Sequence, residues 1–244
     1  MRPVFIVAIC CVTVFLDLSC GSQTSSPRQE ERKATTAGSV QPAESSPAQQ
    51  PPKQEDNRPV IVAFGDSLTQ GVSGKSYPAY LQDTLDQDGY QYRVENQGVS
   101  GDTTSDGLAR IDNVIAQKPA LVILEFGGND GLRGIPVGET QKNLEQMIEQ
   151  LRTAKIPMVL AGITLPPNYG PDYVKPFTAM YPELARKYRL RFLPFLLIHV
   201  YDKPNLMQPD GIHPSQQGNK VVAEDVFALI RPILKQEQGG STAP

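Results

Sequence analysis

Past residue 57 the chain alternates between short runs of consecutive apolar residues and longer stretches in which apolar and polar positions are mixed. Val60-Ile61-Val62-Ala63-Phe64 and Leu121-Val122-Ile123-Leu124-Glu125-Phe126 are the clearest runs. Runs of this length, rich in Val and Ile on both faces, suit strands buried on both sides better than half-exposed ones. With residues 92–95, 158–161 and 191–195 they predict five strands, and residues 77–87, 104–117, 139–154, 171–188 and 215–235 predict the helices between and after them. Strand and helix in alternation imply an α/β fold, a parallel sheet covered on both faces. No internal repeat is visible.

The pattern before residue 58 is different. Val4 to Leu16 is almost wholly apolar and follows Arg2, yet is shorter than the ~20 residues a membrane-spanning helix needs, so residues 1–20 are expected to be a signal peptide. Leu16-Asp17-Leu18-Ser19-Cys20-Gly21 resembles a lipoprotein processing site, with Cys20 as the lipidated residue and Asp17 where an aliphatic residue is usual. Ordinary cleavage and an uncleaved anchor are the alternatives. Residues 21–57 consist of Ser, Gln, Pro, Glu, Thr and Ala with hardly an apolar side chain, too polar to offset their ordering entropy. They are expected to form a disordered tether with an end-to-end distance of roughly 30–35 Å. One folded domain is expected over residues 58–236, followed by a disordered tail over 237–244.

Charge and cysteine usage narrow the function. Of the 244 residues, 23 are Lys or Arg and 26 Asp or Glu, for a net charge of -3, and no basic run with interleaved aromatics is present. Nucleic acid is therefore not an expected partner. Cys10, Cys11 and Cys20 are the three cysteines, all N-terminal, which leaves the domain without a disulfide framework, a thiol nucleophile or a thiolate zinc site. His199 and His213 are the two histidines, too few for a multi-histidine metal centre. A carboxylate-rich cation site is not excluded by composition, but no metal or cofactor is expected.

The candidate chemistry lies where strands end. Gly65-Asp66-Ser67-Leu68 follows the first apolar run and puts a serine at the C-terminal mouth of a buried strand, the place where ligands collect in open α/β sheets. A serine there is also ordinary turn chemistry. Asn96-Gln97-Gly98-Val99-Ser100-Gly101-Asp102-Thr103-Thr104 follows the second strand, Gly127-Gly128-Asn129-Asp130 the third, and Asp210-Gly211-Ile212-His213-Pro214 stands near the C-terminus. Asp210 and His213 are close enough for one turn to present both, with Gly211 giving the chain freedom and Pro214-Ser215 placed to start the last helix. Two other motifs fail. Gly74-Lys75-Ser76 resembles the end of a phosphate-binding loop, but Thr69 replaces its first glycine, and Thr69 likewise breaks the Gly-x-Ser-x-Gly elbow.

The four blocks, in order, resemble the signature of the SGNH (GDSL) hydrolase family, over roughly residues 58–235 and without departure at a family catalytic position. Residues 162–170 and 207–214 are similar to the bacterial periplasmic thioesterase, lysophospholipase and arylesterase branch. The resemblance implies a flavodoxin-like three-layer sandwich with a five-stranded parallel sheet. It implies Ser67 as nucleophile, His213 as general base and then acid, and Asp210 as the carboxylate that orients it. Oxyanion donors would be the backbone N–H groups of Ser67 and Gly101 and the side-chain amide of Asn129. Gly101 can equally serve a turn of positive φ, and Asn129 can cap a loop. His199, between Ile198 and Val200, reads as a satisfied histidine near the core.

The expected activity is a cofactor-free serine esterase acting on acyl esters, thioesters and lysophospholipids. The resemblance implies that the 162–170 loop lies beside the acyl pocket, with Leu165, Pro166 and Tyr169 as its substrate residues, and here Pro166, Pro167 and Tyr169 give it a stiff, apolar character suited to an acyl chain. The expected setting is the periplasm or cell envelope, as a monomer held to a membrane through Cys20. A carbohydrate O-deacetylase is the enzyme alternative, against which the absence of Trp for sugar stacking argues weakly. A non-catalytic envelope lipoprotein that uses the domain to bind is the alternative of another class.

Overall fold

The computed structural model of the protein describes residues 56–240. The expectations for the signal peptide, Cys20, nearly all of the tether and residues 241–244 lie outside the described residues.

Five parallel strands form one sheet in the order β2-β1-β3-β4-β5. β1 (Val60–Gly65), β3 (Leu121–Glu125) and β4 (Met158–Ala161) are buried along their whole length, because helices cover both sides of the middle of the sheet. β2 (Arg93–Gly98) and β5 (Arg191–Leu193) are the edges and tolerate polar residues, which is why their sequences read less clearly as strands. α2 (Tyr77–Gln87) packs against α7 (Gln216–Gly240), while α3 (Thr104–Ala116) packs against α5 (Val137–Thr153) and α5 against α6 (Pro171–Tyr188). With right-handed crossovers these two groups lie on opposite faces, giving the three-layer α/β sandwich.

Spacing dictates the faces. The buried residues of α5 are Thr140, Leu144, Met147, Ile148 and Leu151, and those of α2 include Tyr77, Leu81 and Leu85, each set recurring every three to four positions. Full burial of one such leucine contributes about 1.5–3 kcal/mol. Phe64 and Phe126, at the ends of neighbouring strands, meet edge to face at 4.9 Å between centroids.

Several features depart from the sequence expectation, and β5, for one, stops at Leu193 instead of residue 195. Two short helices, α1 (Ser67–Gln70) and α4 (Gly128–Leu132), follow β1 and β3, and a 3-10 turn, Pro167–Tyr169, follows β4. β2 runs three residues past its expected end, to Gly98, drawn out by pairing with the whole of β1. α7 continues to Gly240, through residues expected in the tail and across Pro232.

The strand order reverses between β1 and β3, so their C-terminal ends open onto a crevice. Ser67 and Asn129 follow those two ends.

Candidate active site

The serine turn is built from the end of β1. Asp66 caps α1, its Oδ1 accepting from the Leu68 N–H at 3.0 Å, and this places Ser67 at the first helical position. Ser67 Oγ lies 2.8 Å from His213 Nε2, and His213 Nδ1 lies 2.7 Å from Asp210 Oδ2. A carboxylate can only accept, so Nδ1 carries a proton, and in the neutral ring Nε2 is the acceptor to which the serine hydroxyl donates.

Local hydrogen bonding fixes the Asp210–His213 turn. Asp210 Oδ1 accepts from the N–H groups of Ile212 at 2.9 Å and His213 at 3.0 Å, which leaves Oδ2 for the ring. A bridge between Met207 and Pro214 closes the loop, and Ser215 Oγ accepts from the Gly218 N–H at 3.1 Å, capping α7. Burial pushes the Asp210 carboxyl up, but hydrogen bonds from the His213 ring and from the His213 and Ile212 backbone outweigh it and hold the carboxyl below its usual value. His199 is not in this site. It sits at the surface beside Asp225, 2.8 Å from Oδ1, rather than near the core.

Gly101 and Asn129 line the same cleft as Ser67 and His213, with Leu132 and Ile212 among its apolar walls. Gly101 takes φ +86, the left-handed conformation, and its carbonyl accepts from Arg133 Nη2 at 2.8 Å. The amide nitrogen of Asn129 is directed at Asp102 O at 2.9 Å and Asp66 Oδ2 at 3.2 Å. Both its hydrogens therefore have acceptors within the protein, and an oxyanion would have to share one of them. The loop-bracing role is the one these two bonds display.

An apolar pocket adjoins the cleft and shares Leu68, Gly128, Leu132 and Ile212 with it. Leu165 and Pro166 line this pocket, as do Phe195, Leu197 and Tyr201 from the loop after β5. Tyr169 does not line it. Its hydroxyl instead donates to the Leu132 carbonyl at 3.2 Å, which ties the loop to α4 from behind.

Sequence reasoning missed the groups beneath the site. Arg110, in the middle of α3, donates to Asp102 Oδ2 at 2.7 Å, to Gln97 O at 2.9 Å and to Gly65 O at 3.0 Å, joining the ends of β1 and β2 to the Gly101 loop. Its guanidinium lies 4.5 Å from the Phe64 ring centroid. Asp130 is buried and accepts from the Thr104 N–H at 2.8 Å and from the Thr104 and Thr140 hydroxyls, fixing α3 against α4. Asp66 and Glu125 are also buried. Burial pushes Asp66 up to about 6, with Asp130 and Asp102 adding to the rise and the Leu68 N–H and His213 opposing it. Burial, followed by the charge of Asp66, pushes Glu125 far above the usual carboxylate range. A charged residue inside the apolar run 121–126 was the one sequence signal available for Glu125.

Such an arrangement can do acyl-transfer chemistry: a hydroxyl bonded to a neutral imidazole, a carboxylate behind the imidazole, N–H donors around one cleft and an apolar pocket beside it. Among the described residues no group of three or more His, Cys, Asp or Glu could hold a metal ion.

Comparison with known proteins agrees with that chemistry. The model of the GDSL-like lipase/acylhydrolase family matches residues 63–221. Esterase TesA of Pseudomonas aeruginosa is 39% identical over 178 residues, covering 71% of this chain and 89% of the relative. Thioesterase 1/protease 1/lysophospholipase L1 of Escherichia coli strain K12 is 36% identical over 181 residues, covering 72% of this chain and 86% of the relative. The crystal structure of TesA superposes with a TM-score of 0.68 at 39% identity, covering 71% of this chain and 98% of that one.

Proposed function

The chain belongs to the GDSL-like lipase/acylhydrolase family and is an ester hydrolase, and from that premise we propose that it works through an acyl-enzyme on Ser67. The serine oxygen attacks the substrate carbonyl while His213 Nε2 takes its proton. The developing oxyanion is held by the Ser67 and Gly101 N–H groups and by one hydrogen of the Asn129 amide. His213, now charged and facing Asp210, passes the proton to the departing alcohol or thiol. Water then repeats the sequence and releases the acid. The observation that carries this reading is the unbroken chain from Ser67 Oγ to His213 at 2.8 Å and on to Asp210 at 2.7 Å.

The substrates we assign are esters and thioesters of medium to long acyl chains, lysophospholipids included. The apolar pocket beside the cleft supports that choice, since an alkyl chain leaving the carbonyl passes between Leu132 and Ile212 towards Leu165. The cellular setting we assign is the envelope, with Cys20 lipidated and residues 21–57 as tether. Among the described residues no helix is long and apolar enough to cross a membrane.

The experiment is active-site labelling. A fluorophosphonate probe should modify the wild type at one site and leave Ser67→Ala untouched. Labelling that persists in Ser67→Ala overturns the assignment.

A further inference from the structure

Glu125 is the last residue of β3, fully buried, and takes no part in the chemistry described above. Its Oε2 accepts from the Thr69 hydroxyl at 2.8 Å and, at 3.4 Å, faces the N–H of Asp66, the residue before the nucleophile. Thr69 belongs to α1, so both contacts fall on the turn that carries Ser67. The fit is close: a Cβ on Gly65 would lie 2.4 Å from Glu125 Oε2 and 2.2 Å from Thr69 Oγ1, so the absent side chain of Gly65 is what lets the carboxyl reach the turn.

The other oxygen, Oε1, is buried and has no hydrogen-bond partner. A carboxylate in that position would hold charge away from water with one oxygen unpaired, whereas a carboxylic acid with its proton on Oε1 leaves only an uncharged O–H unpaired, a smaller cost. Of the groups facing the pair, all but His213 are acidic, so they oppose a further negative charge there. Asp66 comes from the β1–α1 turn, Tyr77 from α2, Tyr181 from α6, Asp130 from α4, Asp102 from the loop after β2 and His213 from the loop before α7. Arg110 reaches Gly65 O but its guanidinium is directed to Asp102 and two carbonyls. Each Asp66 oxygen has a donor, Oδ1 in the Leu68 N–H and Oδ2 in the Asn129 amide, while both donors to Glu125 fall on Oε2, so of the two neighbouring carboxyls Glu125 is the one that keeps its proton.

We propose that Glu125 is a positioning residue that acts as a neutral carboxylic acid, clamping the serine turn through Thr69 and Asp66 while keeping a second negative charge out from under the oxyanion. The inference rests on the acyl-enzyme reading above. It follows that the activity has an alkaline limit set by Glu125 and not by the Ser67–His213–Asp210 chain: once Glu125 ionises, a charge appears beneath the site and opposes the oxyanion.

The test measures kcat and KM of the full chain on a p-nitrophenyl ester from pH 5 to 10 for wild type, Glu125→Gln, Glu125→Leu and Thr69→Val. Glu125→Gln keeps an acceptor without a charge. It should stay within about three-fold of wild type at pH 7 and hold its kcat beyond the pH at which wild type declines. Glu125→Leu should lower kcat by about ten-fold or more with KM little changed, since small displacements of a nucleophile are costly. Thr69→Val removes the same hydrogen bond from the other side and decides the matter should Glu125→Leu fail to fold. The proposal is overturned by superimposable pH profiles for wild type and Glu125→Gln, by a Gln variant as impaired as the Leu variant, or by Thr69→Val with wild-type kcat. An inert wild type would take down the acyl-enzyme reading and this one together, whereas an active wild type with unaffected variants removes this one alone.

Discussion

His213 has to be neutral at Nε2 to receive the Ser67 proton, and in the described geometry it is bonded to both Ser67 and Asp210. We expect Asp210→Asn to lose roughly 10²–10⁴ in kcat, because an amide can turn a donor towards Nδ1 where the carboxylate can only accept, and so no longer fixes the tautomer. Wild-type kcat in Asp210→Asn would remove the carboxylate from that role. Asn129 carries a double expectation. Losing an oxyanion donor costs about 10²–10³ in kcat, and losing its bonds to Asp66 and Asp102 costs about 1–3 kcal/mol of stability as well. Steady-state kinetics and chemical denaturation of Asn129→Ala measure the two separately; a loss of stability with kcat intact would leave only the bracing role. The residues proposed for this chemistry were legible because each stands in a short block that contains glycine or proline. The residues that hold them were not: Arg110 and Glu125 lie inside helix or strand patterns, and only the fold shows that both side chains reach the end of β1, while Asp130, though it ends a glycine-rich block, ties α3 to α4 through Thr104.

At the scale of elements, the apolar runs announced β1, β3 and β4 because burial on both faces leaves no polar position to blur them. α1 and α4 escaped notice for the opposite reason. A helix of four or five residues has no periodicity to read and exists because its ends are held from outside, α1 by Asp66 and α4 by the Arg133 contact and the packing of Leu165. Sheet order was not written in any one segment either, since it depends on pairings between distant strands. Close packing of α3 on the strand ends gives a prediction. A Cβ on Gly107 would fall 2.7 Å from the Phe126 ring, which is fully buried, so Gly107→Ala should destabilise the domain by about 1–3 kcal/mol in denaturant unfolding. Wild-type stability would show that the helix shifts without cost. The buried carboxyls add a pH dependence with a definite sign. Glu125 has a raised pKa in the folded state, so folding takes up a proton and stability declines as pH rises from the unfolded value, about 4.3, towards the folded one. Glu125→Gln should abolish that decline, leaving the variant more stable than wild type at neutral pH; thermal melts at pH 5 and 8 compare the two.

For the whole molecule, the proposals for the site and for the N-terminal segment bear on one another. The cleft and the apolar pocket open at the C-terminal edge of the sheet, where the loops after β1, β3, β4 and β5 meet. Val72 and Ile212, two of the exposed large apolar side chains, line the cleft on this same edge. An enzyme that draws acyl chains from a lipid phase gains from such an edge, because the chain is never fully surrounded by water on its way to the pocket. Residues 21–57, if they behave as a polar tether from Cys20, would allow the domain to turn that edge towards a bilayer. Two outcomes follow. On the soluble domain, octanoyl or longer p-nitrophenyl esters should exceed the acetyl ester in kcat/KM by about ten-fold or more, as burying several methylenes at ~0.8 kcal/mol each allows. In cells, Cys20→Ser should move the enzyme from the membrane fraction to the soluble one while its kinetics on soluble esters stay unchanged. A preference for acetyl esters would transfer the reading to a carbohydrate O-deacetylase, and a wild type already soluble would leave the ester hydrolase without its anchor.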